Sequence, residues 1–193
     1  MISTLLALAT TLLVAGPPSA APDSPGSSGK VDFAATAPAS SVRADFAGQA
    51  RSAGLTAKQS ASLQGKANAY LAKLGKGATQ KSFNTIALKG ADLYLTVPGE
   101  AQPRGLAASY CAYYYFCAYS GERQTGDSIH MYDCGVYNYI PWVTMGSWVN
   151  NQTRGTRPWL YFWTDGSWWN MPAAYAQQLT GVGWSPVDGI IPC

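Results

Sequence analysis

The chain has 193 residues, 12% of them charged, and a formal net charge of +3. That length suits one ordinary domain, or a small domain with an extension, and the charge is too near neutral for the basic field that drives nucleic-acid binding. Residues 1–110 carry ten Lys/Arg against five Asp/Glu, whereas residues 111–193 carry three against five and hold all seven Trp and nine of the twelve Tyr. Two regions of different character share one chain.

Residues 2–16 form an uncharged, apolar run that ends at Gly16, Pro17 and Pro18. It is too short for a permanent membrane span, and the small residues Ser19, Ala20 and Ala21 follow it, as in an export signal cleaved after Ala20. The expectation is a secreted, extracellular protein with a signal peptide at 1–20 and no stable membrane insertion once it is removed. Residues 21–45, rich in Pro, Ser, Ala and Gly, read as a flexible leader. A helix is predicted over 56–74. Thr56 can cap it, Gln59 completes a capping box, and Leu63, Ala67, Tyr70, Leu71 and Leu74 form one apolar stripe that Gly75 ends. The period then changes to two. Phe83, Thr85 and Ala87, then Leu93, Leu95 and Val97, flank a turn at Lys89-Gly90-Ala91-Asp92 and predict a β-hairpin. Residues 46–98 thus read as a small helix–hairpin segment whose lysines form a solvated face. Pro103 and Gly105 mark a linker over 99–109 that leads to an independent domain at 110–193.

That last region reads as all-β, a sandwich or Greek-key arrangement. Strand-prone stretches at 113–119, 128–132, 148–150 and 158–163 alternate with turn signals at Ser120-Gly121, Asn150-Asn151, Arg154-Gly155 and Asp165-Gly166. Residues 173–179 are the one stretch with a helical alternative. All four cysteines lie here, at Cys111, Cys117, Cys134 and Cys193. An even count in an exported chain argues for two disulfides, and the spacings do not fit a zinc site. Of the three pairings, Cys111–Cys117 with Cys134–Cys193 is favoured. The first pair flanks a stretch able to fold back on itself, and the second tethers a free end.

The stretch from Cys117 to Gly126, Cys-Ala-Tyr-Ser-Gly-Glu-Arg-Gln-Thr-Gly, resembles the βγ-crystallin Greek-key signature: an aromatic, a turn, then a glycine seven positions on. Tyr119 and Gly126 match it, and Ser147 stands where a hydroxyl would tie the folded hairpin down. Gln124 replaces the usual second aromatic. A hairpin folded over its sheet needs a glycine at positive φ with an aromatic packed on the fold. With four cysteines, an export signal and the segment 147–153, residues 110–193 resemble the Streptomyces metalloproteinase inhibitor family. That resemblance implies a βγ-crystallin-like Greek-key sandwich with one local disulfide and one to the C-terminus. It also implies a secreted peptidase inhibitor whose partner is a zinc metalloendopeptidase.

No catalytic, cofactor or metal site is expected. The residues before Ser147 carry no carboxylate or amide for calcium. His130, the lone histidine, reads as a surface or half-buried strand residue. Glu122, Asp127, Asp133, Asp165 and Asp188 show no spacing that selects a catalytic pair. Residues 121–125 and 164–167 are the candidate inhibitory loops. The alternative function is a non-catalytic module for extracellular polysaccharide or cell envelope. In that reading Trp159, Trp163, Trp168 and Trp169 face the glycan, although core packing is the expectation for most of them.

Overall fold

The computed structural model describes residues 40–105 and 110–193, which fall in one unit. The expected signal peptide and most of the leader lie outside the described residues.

The leader does not extend to residue 45: helix α1 (Ser40–Ser52) occupies its end. The cause is tertiary, because Phe46 and Ala50, four residues apart, are buried, and Ala50 joins Leu55 and Leu63 in the core cluster. Helix α2 (Ala57–Leu74) has the expected capping box, with Thr56 Oγ1 accepting from Gln59 N at 3.2 Å and Gln59 Oε1 accepting from Thr56 N at 3.0 Å. Gly75, at φ 73°, ends it.

Strands β1 (Thr79–Ser82), β2 (Thr85–Leu88) and β3 (Ala91–Tyr94) form a meander, and β2 and β3 are the predicted hairpin. After it come β4 (Tyr115–Tyr119), β5 (Ser128–Met131), β6 (Asn138–Tyr139), β7 (Met145–Asn151), β8 (Trp159–Phe162), β9 (Trp168–Asn170), β10 (Ala176–Gly183) and β11 (Val187–Ile191). All pairings are antiparallel. They build a seven-stranded sheet, order β1-β2-β3-β5-β4-β7-β10, and a four-stranded sheet, order β6-β11-β8-β9. Within residues 110–193 the strands form two successive sets of four, β4–β7 and β8–β11, and each set gives its third strand, β6 or β10, to the other set's sheet.

One register row shows where the core sits. Ile86, Leu93, Ile129, Ala118 and Trp148 are aligned partners across five strands of the large sheet, each at most 2% exposed. They join Leu63 and Ala67 of α2 and Leu160 and Ile190 of the small sheet in one buried cluster. Strand alternation sends these residues to one face, and helix and small sheet share the work of covering it.

The linker therefore does not separate two cores. Strand β3 pairs with β5 over Ala91↔Met131 to Tyr94↔Ser128, so the helix–hairpin segment is built into the main sheet. Two of the lysines assigned to a solvated face are tethers. Lys66 Nζ lies 2.6 Å from the Asp127 carboxylate and 3.1 Å from the Thr96 carbonyl, and Lys73 Nζ donates to the Pro141 carbonyl at 2.6 Å. Asp127, buried, also accepts from Tyr70 Oη at 2.7 Å and Thr96 N at 2.8 Å, and Tyr70 Oη accepts from the Trp142 indole. Asn150 and Asn151 belong to strand β7 rather than a turn. Residues 176–179 are strand rather than helix, because β7 offers them a partner at Ala176↔Asn150 through Gln178↔Trp148.

The cysteines pair Cys111 with Cys117 and Cys134 with Cys193. Among the described residues no helix is long and apolar enough to cross a membrane.

Candidate functional site: an aromatic sheet face and a free hairpin tip

The sequence places Tyr119, Gly126 and Ser147 in one signature, and the structure brings them together. Tyr119 is fully buried and is the register partner of Ser147. The tip between β4 and β5 turns back so that Ser147 Oγ accepts from Gln124 N at 2.9 Å and donates to the Gly121 carbonyl at 2.8 Å. Gly126 closes the tip at φ 77°, where an added Cβ would lie 2.3 Å from Ser120 Oγ. Glu122 reaches across to accept from Gly181 N on β10 at 2.9 Å. Residues 121–125, one candidate loop, are therefore fastened down on both sides.

His130 is not at the surface. It is 2% exposed, on the face of β5 opposite the core row, with its Nε2 3.1 Å from Ser128 Oγ and the rings of Tyr94 and Tyr119 at 4.8 and 6.0 Å. Removal from water disfavours the imidazolium, and its pKa is pushed down to about 4. The disulfide Cys111–Cys117 packs with Tyr119 on this same side.

The small sheet is the opposite case. Core packing was the expectation for most of its tryptophans, yet Trp159, Trp163, Trp168 and Trp169 are all exposed, at 43, 62, 45 and 40%, while Trp142, Trp148 and Trp184 fill the interior. The reason is the sheet's position: residues 163–169 form the tip and outer strand of an edge hairpin, Trp159 stands on the outward side of β8, and among the described residues no further strand pairs beyond β9. The four do not share one face. Trp168 is the partner of Tyr161, and Trp169 of Leu160, a core residue, so the two tryptophans point to opposite sides of β9. Trp169 lines a 170 Å³ recess between the sheets with Trp148 and Val182.

The outward face has a defined membership. Tyr139, Gly189, Tyr161 and Trp168 make one row across all four strands, and Ile191, Trp159 and Asn170 make the next. Tyr137 completes it: its ring lies over Gly189, where an added Cβ would come within 2.4 Å of Cζ. Ring centroids are 4.9 Å apart for Tyr161–Trp168, 6.2 Å for Tyr137–Trp168 and 6.5 Å for Tyr137–Tyr161, all inclined to one another. The Tyr137 hydroxyl donates to the Asp188 carboxylate. Burial first, then this bond and the carboxylate's charge, raise the tyrosine pKa. At one margin lies a 260 Å³ recess lined by Lys73, Tyr139, Trp142, Trp163, Ser185 and Asp188.

The tip between β8 and β9, the second candidate loop, is exposed from Trp163 to Trp169. It is held from within. Asp165 Oδ1 accepts from Ser167 N at 3.0 Å and Ser167 Oγ at 2.7 Å, Gly166 N donates to the Phe162 carbonyl at 3.0 Å, and the Trp163 indole N–H donates to the Ser185 carbonyl at 2.8 Å. The Ser167 hydroxyl and N–H hold the Asp165 carboxyl below its ordinary pKa.

Of the carboxylates considered singly, Glu122, Asp127, Asp165 and Asp188 each have a separate partner, as above. Among the described residues no cluster of His, Cys, Asp or Glu is placed to hold a metal ion. Sequence reading missed Tyr137, Tyr139 and Tyr161 as members of the face. The alternation Tyr137-x-Tyr139 was the available signal, since alternate strand residues share a side. Compared with known protein families, curated proteins and solved structures, the chain matches none.

Proposed function

We propose that this chain is a secreted peptidase inhibitor that blocks a zinc metalloendopeptidase by inserting the hairpin tip 164–167 into its cleft. The observation that carries the reading is the tip itself: seven consecutive exposed residues, 163–169, whose conformation is fixed by hydrogen bonds already made in the free protein. A preorganised loop loses little conformational entropy on docking and presents no floppy chain to be cut. Of the two candidate loops, only this one is free to enter a cleft. The exchange of third strands between β4–β7 and β8–β11, with the Ser147-stitched tip closed by Gly126, supports the βγ-crystallin-like Greek-key reading on which the target class rests. Two formed disulfides support an oxidising, extracellular setting.

The test is titration of a thermolysin-like zinc peptidase with the oxidised full chain. Activity should fall to zero at one-to-one stoichiometry. Asp165→Ala with Ser167→Ala should weaken inhibition roughly tenfold or more, about 1.4 kcal/mol of binding, without altering thermal stability. Inhibition unchanged by that variant moves the contact elsewhere. Absence of inhibition across metallo-, serine and cysteine peptidases removes the reading.

A further inference from the structure

We infer that the outward face of the four-stranded sheet is a binding site for a neutral polysaccharide chain, distinct from the hairpin tip and independent of the inhibitor reading. Exposed aromatics in a contiguous set mark an interaction surface, and the chemistry here narrows the ligand. The two register rows present Tyr139, Tyr161, Trp168 and Trp159, with the Tyr137 ring laid across Gly189. They offer flat π-faces with polar groups at the margin: the Asp188 carboxylate, the Asn170 amide and the tyrosine hydroxyls. A pyranose ring has the matching form, with C–H groups on its faces for the rings and hydroxyls around its rim for the carboxylate, amide and phenols. Successive sugars repeat that form along a strip.

Charge excludes the main competitors. Neither row contains a lysine or arginine, so a polyanion, whether nucleic acid or acidic glycan, finds no line of cations along the face to neutralise it. Asp188, hydrogen-bonded to Tyr137, repels anions. The one lysine near the face, Lys73, stands at the margin 5.9 Å from the Tyr139 centroid, held there by the Pro141 carbonyl, too few cations to track a polyanion. The face is also preformed. It lies on a hydrogen-bonded sheet, its rings are wedged at an angle against one another, and Tyr137 is fixed at both ends, by Gly189 beneath it and Asp188 at its hydroxyl. Little rotamer entropy is left to lose on binding. The 260 Å³ recess beside Tyr139 supplies further polar groups, Ser185 and Lys73, where the strip ends.

The experiment uses the oxidised full chain with insoluble cellulose, chitin and xylan, measuring depletion from the supernatant. At least one polymer should retain the protein, and about 1 M sodium chloride should not release it, since no ion pairs are involved. Trp159→Ala with Trp168→Ala should lower retention roughly tenfold or more, while Trp169→Ala, on the other side of β9, leaves it unchanged. The variant Asp165→Ala with Ser167→Ala, altered only within residues 164–167, should keep its polysaccharide retention, which separates this site from the inhibitory contact. A second readout needs no variant: soluble oligosaccharides of the retaining polymer should shift the tryptophan emission of the unaltered protein and slow oxidation of its exposed indoles. The proposal fails if none of the three polymers retains the chain, if the tryptophan double variant is retained as well as the parent, or if the oligosaccharides leave emission and oxidation unchanged. Loss of inhibition in the tryptophan double variant without any polysaccharide binding assigns the face to a protein partner instead.

Discussion

The tip between β4 and β5 is closed onto its sheet, whereas the tip between β8 and β9 stands free, and the neighbouring strand accounts for the difference. Beside Tyr119, β7 supplies Ser147, whose hydroxyl bonds Gly121 and Gln124 and draws the tip down. Beside Tyr161, β11 supplies Gly189, which has no side chain to bond anything and leaves space for the Tyr137 ring. One substitution of type thus changes two things: the second tip is left displayed, and an aromatic face forms next to it. The contrast extends to the outer faces of the two sheets. Behind the closed tip His130 and Tyr119 are buried, and behind the free tip Tyr137, Trp159 and Trp168 meet solvent.

The largest effect should come from removing residues 40–98, which takes β3 from β5 and strips Asp127 of Lys66, Tyr70 and Thr96. A buried carboxylate left without its partners costs about 3–5 kcal/mol, and a large part of the shared core is lost as well. The piece 110–193, expected from sequence to fold alone, should show no cooperative thermal transition by circular dichroism. A sharp transition near that of the full chain would restore the idea of two independent parts.

A second pair of variants probes the tips directly. Gly126→Val should destabilise by about 3 kcal/mol, because the residue sits at φ 77° and its new Cβ would meet Ser120 Oγ. Gly166→Val, at φ 71° but with its nearest neighbour 3.7 Å away, bears the backbone cost alone, about 1 kcal/mol. Chemical denaturation of both variants measures the gap, and equal losses would contradict the assignment of a closed and a free tip.

The buried side should also be sensitive to pH. The folded-state pKa of His130 is about 4, below its ordinary 6.5, so between these values the unfolded chain binds the extra proton. Its contribution is therefore present above pH 6.5 and lost as pH falls towards 4, amounting to roughly 3 kcal/mol in full. The thermal midpoint should drop between pH 7 and pH 4, and His130→Gln should flatten that slope. A slope unchanged in the variant would place the titrating group elsewhere.

The last pair compares the stitch with its exposed counterpart, where the smallest effect is expected. Ser147→Ala should cost about 1–2 kcal/mol, having removed one acceptor and one donor from a buried site. Ser167→Ala, at the exposed tip, should lie within about 0.5 kcal/mol of the parent.

What the sequence determined by itself is local. The α2 cap at Thr56 and Gln59, its stop at Gly75 and the β2–β3 hairpin depend on groups a few residues apart, and periodicity carries that information. The Cys111–Cys117 bridge, six residues apart, and the positive φ of Gly126 were also legible, because a short spacing and a turn restrict the chain almost irrespective of what surrounds it, and that first bridge leaves Cys134 only Cys193, 59 residues on, as partner. Tertiary structure decided the rest. Residues 176–179 suit helix or strand until β7 offers a partner, and the lysines of α2 look like any solvated face until Asp127 is placed beneath Lys66. The seven tryptophans are chemically alike. Trp148 is buried and Trp168 exposed because one lies on the covered face of an interior strand and the other on the outward side of an edge strand. Strand order and layering arise from pairings between distant segments, such as β3 with β5, and local sequence does not encode such partners.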